Sequence, residues 1–185
     1  MGIPGLKRGT VSLSPHQESW KEDARAVKDQ LRAALGEVAV DIQHIGSTSI
    51  AGICAKPIID LVVGVEDLNA VENHVRRLEQ QGFIFRGQDV EGQLLFVLGD
   101  LGEDVRTHHI HVVLWDSPVW WDYLNFRDYL NAVPERARTY ETLKITLAEQ
   151  YPHDRGRYTA GKQALIACLL KEAKCWRAQN KERNI

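Results

Sequence analysis

The chain has no apolar run near the ~20 residues a bilayer-spanning helix requires, which excludes a helical membrane protein. Its start, MGIPGLKRGT, lacks the apolar core of a secretory signal, and Leu6 stands where N-myristoylation would want Ser or Thr. Cysteine is scarce, limited to Cys54, Cys168 and Cys175. Cys168 and Cys175 fall about two turns apart on one expected helix, roughly 10 Å along its axis, which is beyond disulfide reach. Cys54 has no CxxC partner. Reduced, buried and inert thiols in a cytoplasmic protein are the expectation. An excess of either charge is missing too. The net charge of -2 provides no general field for nucleic acid or an anionic membrane, so any anion site must be built locally. Repeats, low-complexity tracts and linker-like stretches are also absent. With 185 residues, 44% of them apolar, one core suffices. The expectation is a single domain over 1–185, its core at about 11–176 and its ends flexible.

Periodicity supplies the elements. Ser14, Pro15 and Gln17 read as N-cap, first helical residue and capping-box partner of a helix. Its buried stripe is Trp20, Ala24, Val27, Leu31 and Leu35, and it ends at Gly36. Alternation predicts a strand over 37–45, and the β-branched run 57–63 predicts a buried one. A helix from Asp67 carries Leu68, Val71, Val75 and Leu78 and stops at Gly82. Short strands follow over 83–86, 93–98 and 107–115, separated by glycine-rich turns. From Ser117-Pro118 the pattern is helical. One helix runs to about Asn131. Another starts at Pro134, with Ala137, Tyr140, Leu143, Leu147 and Tyr151 along one face. The last starts at about Thr159 and frays over 177–185. The fold class is α+β: a mixed sheet flanked by helices, with a C-terminal helical segment.

Residues 44–65, HIGSTSIAGICAKPIIDLVVGV, hold the densest chemistry. Gly46 lets the backbone approach a phosphate with no Cβ in the way. Ser47, Thr48 and Ser49 offer hydroxyl and amide donors to an anion, although a plain turn would use the same residues. Lys56 is held extended by Pro57 and can pair with Asp60, reach a phosphate or face solvent. Asp60 stands alone in an apolar strand, where an unpaired carboxylate is costly, so a cleft or strand end is expected.

A second constellation is THHIHVVL over 107–114. Strand alternation puts Ile110, Val112 and Leu114 on one face with His108, and His109 and His111 together on the other, about 7 Å apart. Such a pair suits a divalent metal or, equally, two hydrogen-bonded core histidines. In the helical tail, Arg127 and Asp128 are followed by Tyr140 and Lys144 one turn apart, then by Arg155, Arg157, Tyr158 and Lys162. Of these, Arg157, Tyr158 and Lys162 form the cluster best placed to meet phosphate. Trp120-Trp121 can serve an interface or a core.

Taken with HHIHVVLWD, LNFRDYLNAVPERARTYETLK and DRGRYTAGKQALIACLLKEA, the 44–65 segment resembles the signature of the GrpB family, over about 11–173. The resemblance implies a nucleotidyltransferase-like fold. The Gly46-Ser47-Thr48-Ser49 turn would bind the phosphates of a nucleotide, and carboxylates on the following strands would bind divalent metal. Active members of that superfamily carry two acids spaced by one residue on the strand after the turn, and here Val62 replaces the second. By the same resemblance His109 and His111 stand where a third carboxylate would be, near Asp60, with His44 as a further metal candidate. The expected ligand is a nucleotide or other phosphorylated small molecule. The expected chemistry is nucleotidyl or phosphoryl transfer with Mg2+, Mn2+ or Zn2+, using Asp60 and His111 (or His109). Two alternatives stand beside it: a ligand-binding module without turnover, and a metal-dependent phosphoester hydrolase built on Asp60, His109 and His111.

Overall fold

The computed structural model describes residues 5–88 and 90–182, with the backbone alone at the last two. Its elements in chain order begin with β1 (Leu6–Lys7), α1 (Ser19–Leu35) and β2 (Ala39–Ile45). Next come β3 (Ile59–Val65), α2 (Leu68–Glu72), α3 (Val75–Gln80) and β4 (Ile84–Phe85). Strands β5 (Gln93–Leu98), β6 (Val105–Arg106) and β7 (His108–Leu114) precede the helices α4 (Pro118–Ala132), α5 (Pro134–Gln150) and α6 (Arg155–Glu182). The main sheet has the order β2-β3-β7-β5-β4 and is mixed, because β3 and β7 run parallel while the other pairs are antiparallel. β1 and β6 form a separate antiparallel ribbon.

One face of the sheet buries Ile42, Leu61, Val63, Ile110 and Val112 against the α1 stripe Trp20, Ala24, Val27 and Leu31. The opposite face is covered over part of its area by α4, where Trp120 and Leu124 pack on Ile45, Val62 and Val113. α5 and α6 close beside it through Tyr129, Leu130, Ala137, Tyr140, Leu169 and Ala173, with Ile50 and Ile53 from the loop after β2. The part of this face that α4 leaves uncovered carries Asp60, His109 and His111. Among the described residues no helix is long and apolar enough to cross a membrane.

Several expectations shift. α1 starts at Ser19, not after Ser14, because the Ser14 backbone is spent on a two-way bridge with Ala55. The helix foreseen from Asp67 is broken in two near His74, although Asp67 does cap it through the Asn69 amide. α6 begins four residues before Thr159. It does not fray at Arg177, whose guanidinium bonds Asn125 and Asp128 and stacks on Trp121. Arg183 to Ile185, the end of the tail expected to fray, lie outside the described residues. Trp120 belongs to the core. Cys168 and Cys175 are exposed, not buried, because they lie on the outward side of α6. The β1–β6 ribbon had no signal, being two residues on each side.

Candidate functional site

Register brings the central pair together. β3 and β7 align Asp60 with His109, and the Asp60 Oδ1 and His109 Nδ1 atoms lie 3.0 Å apart. His109 and His111 share this face, their ring centroids 6.4 Å apart, as strand alternation predicts. Desolvation pushes the Asp60 carboxyl upward. The hydrogen bond and charge of His109, with His111 and Lys56 nearby, outweigh that and hold it at about 2. The folded pKa is therefore below the unfolded value of ~3.9. The resulting stability is present above pH ~4 and is lost as pH falls through the folded pKa. With the side chain still 28% open, the loss is roughly 1–2 kcal/mol between pH 5 and 2. Urea midpoints across that range should show it in the native chain and not in Asp60→Asn.

The turn before β3 presses against this carboxylate. Gly46 sits at φ 70 and ψ -171, and its Cα faces Asp60 directly. The three hydroxyls of the turn differ in what they meet. Ser49 Oγ donates to the Gly46 carbonyl at 2.6 Å, and Thr48 Oγ1 lies 2.9 Å from His44 Nε2. Ser47 Oγ instead donates to the Tyr140 phenol oxygen at 3.4 Å, which points it toward the site. His44 pairs across the sheet with Leu61, so its side chain leaves the sheet on the α1 side, the face opposite Asp60 and His109, although the Asp60 charge still reaches it. Desolvation lowers it to about 4.

Two lysines, Lys56 and Lys162, lie within the field of Asp60, and a third, Lys144, lies behind them. Lys56 Nζ lies 5.3 Å and Lys162 Nζ 4.4 Å from the Tyr158 ring centroid, while Lys144 Nζ lies 4.7 Å from that of Tyr140. Tyr158, Tyr140 and Lys144 are all buried. Lys144 also donates to the Cys54 carbonyl, and the Cys54 amide donates to Glu141 at 2.5 Å, which ties α5 to the loop before β3. Desolvation lowers all three lysines, and mutual repulsion adds to it. Lys162 falls to about 8, with Lys56 beside it; Lys144 falls to about 7, with Lys162 beside it; Lys56 is lowered with Arg155 beside it. Burial also raises both phenols. Partly desolvated ammonium groups that repel one another are an unfavourable arrangement, which an anion would relieve.

Of the tail residues named from sequence, Tyr158 and Lys162 enter this cluster. Arg157 does not: it is exposed, 3.4 Å from Asp154 and stacked on Tyr151. Tyr140 and Lys144 do belong, and their i,i+4 spacing was the available signal. Arg127 is instead held by Asp128, Gln43 and the His44 carbonyl. Gln93 was missed. Its amide meets His111 Nδ1 at 3.1 Å and accepts from the Tyr123 hydroxyl at 2.8 Å, so this chain fixes the His111 ring.

Two cavities meet at this centre. One, of about 480 Å³, is largely apolar, bounded by Ile45, Phe126, Tyr140, Ile166 and Leu170, with Asp60 and His111 at its floor. The other, of about 320 Å³, lies toward β5 and the β1–β6 ribbon and is walled by arginines. A larger groove beside Gly82 and Gly99 lies away from these groups. Among the described residues no three His, Cys, Asp or Glu side chains converge in metal-ligand geometry. Val62 faces the same way as Asp60 but is sealed under Trp120 and Leu124. The residues present therefore do not fit a paired-metal site.

A mixed sheet with a Gly-Ser turn opposed to an aspartate on the next strand, backed by a helical tail, defines a nucleotidyltransferase-like α+β protein. A solved cytoplasmic RNA terminal U-transferase shares the fold, with a TM-score of 0.52 over 73% of this chain and 42% of that one at 17% identity. The family model for GrpB protein matches residues 10–172, and the chain belongs to the GrpB family. The glutamate-rich protein GrpB of Alkalihalophilus pseudofirmus is 41% identical over 171 residues, covering 91% of this chain and 98% of that one. The crystal structure of conserved protein GrpB from Enterococcus faecalis matches with a TM-score of 0.82 at 34% identity, over 89% of this chain and 99% of that one.

Proposed function

We propose that this protein binds a nucleotide or another phosphorylated small molecule in the cleft between the sheet and α5–α6. The observation that carries the reading is the pair Lys56 and Lys162, both stacked on Tyr158 and both within the field of Asp60, with Lys144 on Tyr140 behind Lys162. Phosphate oxygens would meet Lys56, Lys162 and the Ser47 end of the turn. A ring system would lie in the apolar cavity against Phe126 and Tyr140, whose polar rim suits orientation by few contacts.

A second reading, in which the bound molecule reacts, is favoured by the Asp60–His109 hydrogen bond. A carboxylate that fixes Nδ1 of an imidazole leaves Nε2 to take a proton from an attacking hydroxyl. With one carboxylate on β3, a single ion on Asp60 and His109 would displace that hydrogen bond, so metal binding and the general-base role are alternatives at this pair.

Calorimetric titration with nucleotides, with and without Mg2+, Mn2+ and Zn2+, tests both. Binding is expected, and it should weaken in Lys162→Gln. Because the folded Lys162 pKa lies below the unfolded ~10.4, the unfolded chain binds more protons between the two values, so apo stability from this group rises over pH 8–10. Phosphate favours the charged ammonium. Binding near pH 8 should therefore take up protons, measurable in buffers of different ionisation enthalpy, and affinity should fall as pH rises through 8. Failure of every nucleotide to bind under every metal would sink the reading.

A further inference from the structure

The arginine-walled cavity concentrates positive charge on one side of the Asp60–His109 pair. Its floor is strand: Leu95 and Val97 on β5 pair with His111 and His109 on β7. Its walls are Arg8, Arg86, Arg106 and Arg155, and no acidic side chain lines it among the described residues. These arginines come from four separate places: the end of β1, the turn after β4, β6, and the first residue of α6. No local helix or strand pattern explains their convergence.

Arg106 shows that the convergence has a ligand-shaped gap. Its side chain is 9% exposed, yet its contacts are an Asp104 carboxylate at 3.5 Å and the Val105 carbonyl at 3.5 Å, both longer than a good charge-assisted hydrogen bond. A guanidinium taken out of water with such weak partners carries much of its desolvation cost uncompensated. Arg8, Arg86 and Arg155 have no ion-pair partner among the described residues, so three further guanidiniums face the same space without neutralisation. Planar guanidinium forks match tetrahedral phosphate oxygens in pairs, which lysines cannot do. At about 320 Å³, the cavity is at the small end of ligand pockets, suited to a phosphate-bearing end of a small molecule rather than to a polymer.

We propose that this chamber binds the phosphomonoester or diphosphate group of a second small molecule, separate from the ligand of the lysine–tyrosine cleft. His111 lines both cavities and His109 lines the arginine side while bonding Asp60, so the Asp60–His109 pair stands between the two anions. Calling the second molecule an acceptor rests on the reading proposed above; its binding does not.

The test titrates the full chain with inorganic pyrophosphate and, separately, with the nucleotide found to bind. Arg86 and Arg155 are exposed, so Arg86→Gln and Arg155→Gln should fold normally. Each should weaken pyrophosphate about tenfold, as loss of one charge-assisted contact predicts. Arg86→Gln should also leave nucleotide affinity within about twofold, whereas Arg155 lies beside Lys56 and its variant is read on pyrophosphate alone. Arg106→Gln should abolish pyrophosphate binding. If pyrophosphate fails to bind, or keeps its affinity in the Arg86→Gln/Arg155→Gln double variant, the chamber is not an anion site. If its affinity falls in Lys162→Gln instead, pyrophosphate occupies the lysine cleft and the proposal is overturned. A failed nucleotide titration with pyrophosphate binding intact would remove the first reading and leave the chamber standing.

Discussion

Gly46→Ala is expected to destabilise the fold on the order of 3 kcal/mol and to abolish anion binding in the cleft. Two costs combine. The backbone at φ 70, ψ -171 lies in a region that side-chain-bearing residues rarely enter. The added methyl would also land within the Asp60 carboxylate and 2.9 Å from its Cβ, so the strand residue itself must give way. The carboxylate would be driven off His109, and the 3.0 Å contact that orients the imidazole would be lost. Gly52→Ala is the matched control. Gly52 has φ 75, but nothing lies within 4 Å of the added Cβ, so it should cost only the backbone term of about 1 kcal/mol. Urea denaturation of both variants isolates the steric part. Equal losses would mean that Asp60 moves freely and is not held by the turn. The shift of the His109 ring resonances should track the same difference.

The segment 44–65 was legible because turn, lysine, proline and aspartate are neighbours in sequence, and strand alternation then paired His109 with His111. Chain proximity was a poorer guide to His44. It was read as near Asp60 by proximity in the chain, yet one residue of register sends it to the other face, where Thr48 holds it. Tyr140 was legible on the apolar face of its helix, but Lys144 carried no sign of burial, since it is buried by the fold of the Cys54 loop and not by its own helix. The arginine chamber was invisible. Arg8, Arg86, Arg106 and Arg155 are spread over almost 150 positions and converge only because a two-residue ribbon carries β1 to β6. Arg157 illustrates the reverse error: adjacency to Tyr158 suggested a shared role, but consecutive helix residues point about 100° apart, and Arg157 faces solvent.

Val62→Asp, which would place an acid where active nucleotidyltransferases carry their second one, is expected to lose on the order of 4 kcal/mol of stability and gain no metal. Residue 62 has the right parity, two along from Asp60 on the same face of β3. Parity is not access. Val62 is fully buried among Ile45, Val113, Trp120 and Leu124, under the part of the sheet that α4 covers. A carboxylate there would be stripped of water. Its register neighbour His111 is already engaged by Gln93, with its ring 5.3 Å from Tyr123, so the imidazole is not placed to neutralise it without breaking that chain. Denaturation midpoints and a Mg2+ titration decide the matter together. A variant as stable as the native chain that binds Mg2+ would show that α4 opens readily and that a second acid at 62 can reach a metal. A destabilised variant without metal binding would place the difference in the helix packing rather than in one residue. Val62 is then coupled to Trp120 and Leu124, and building a metal pair would require at least Leu124 to be cut back in the same chain.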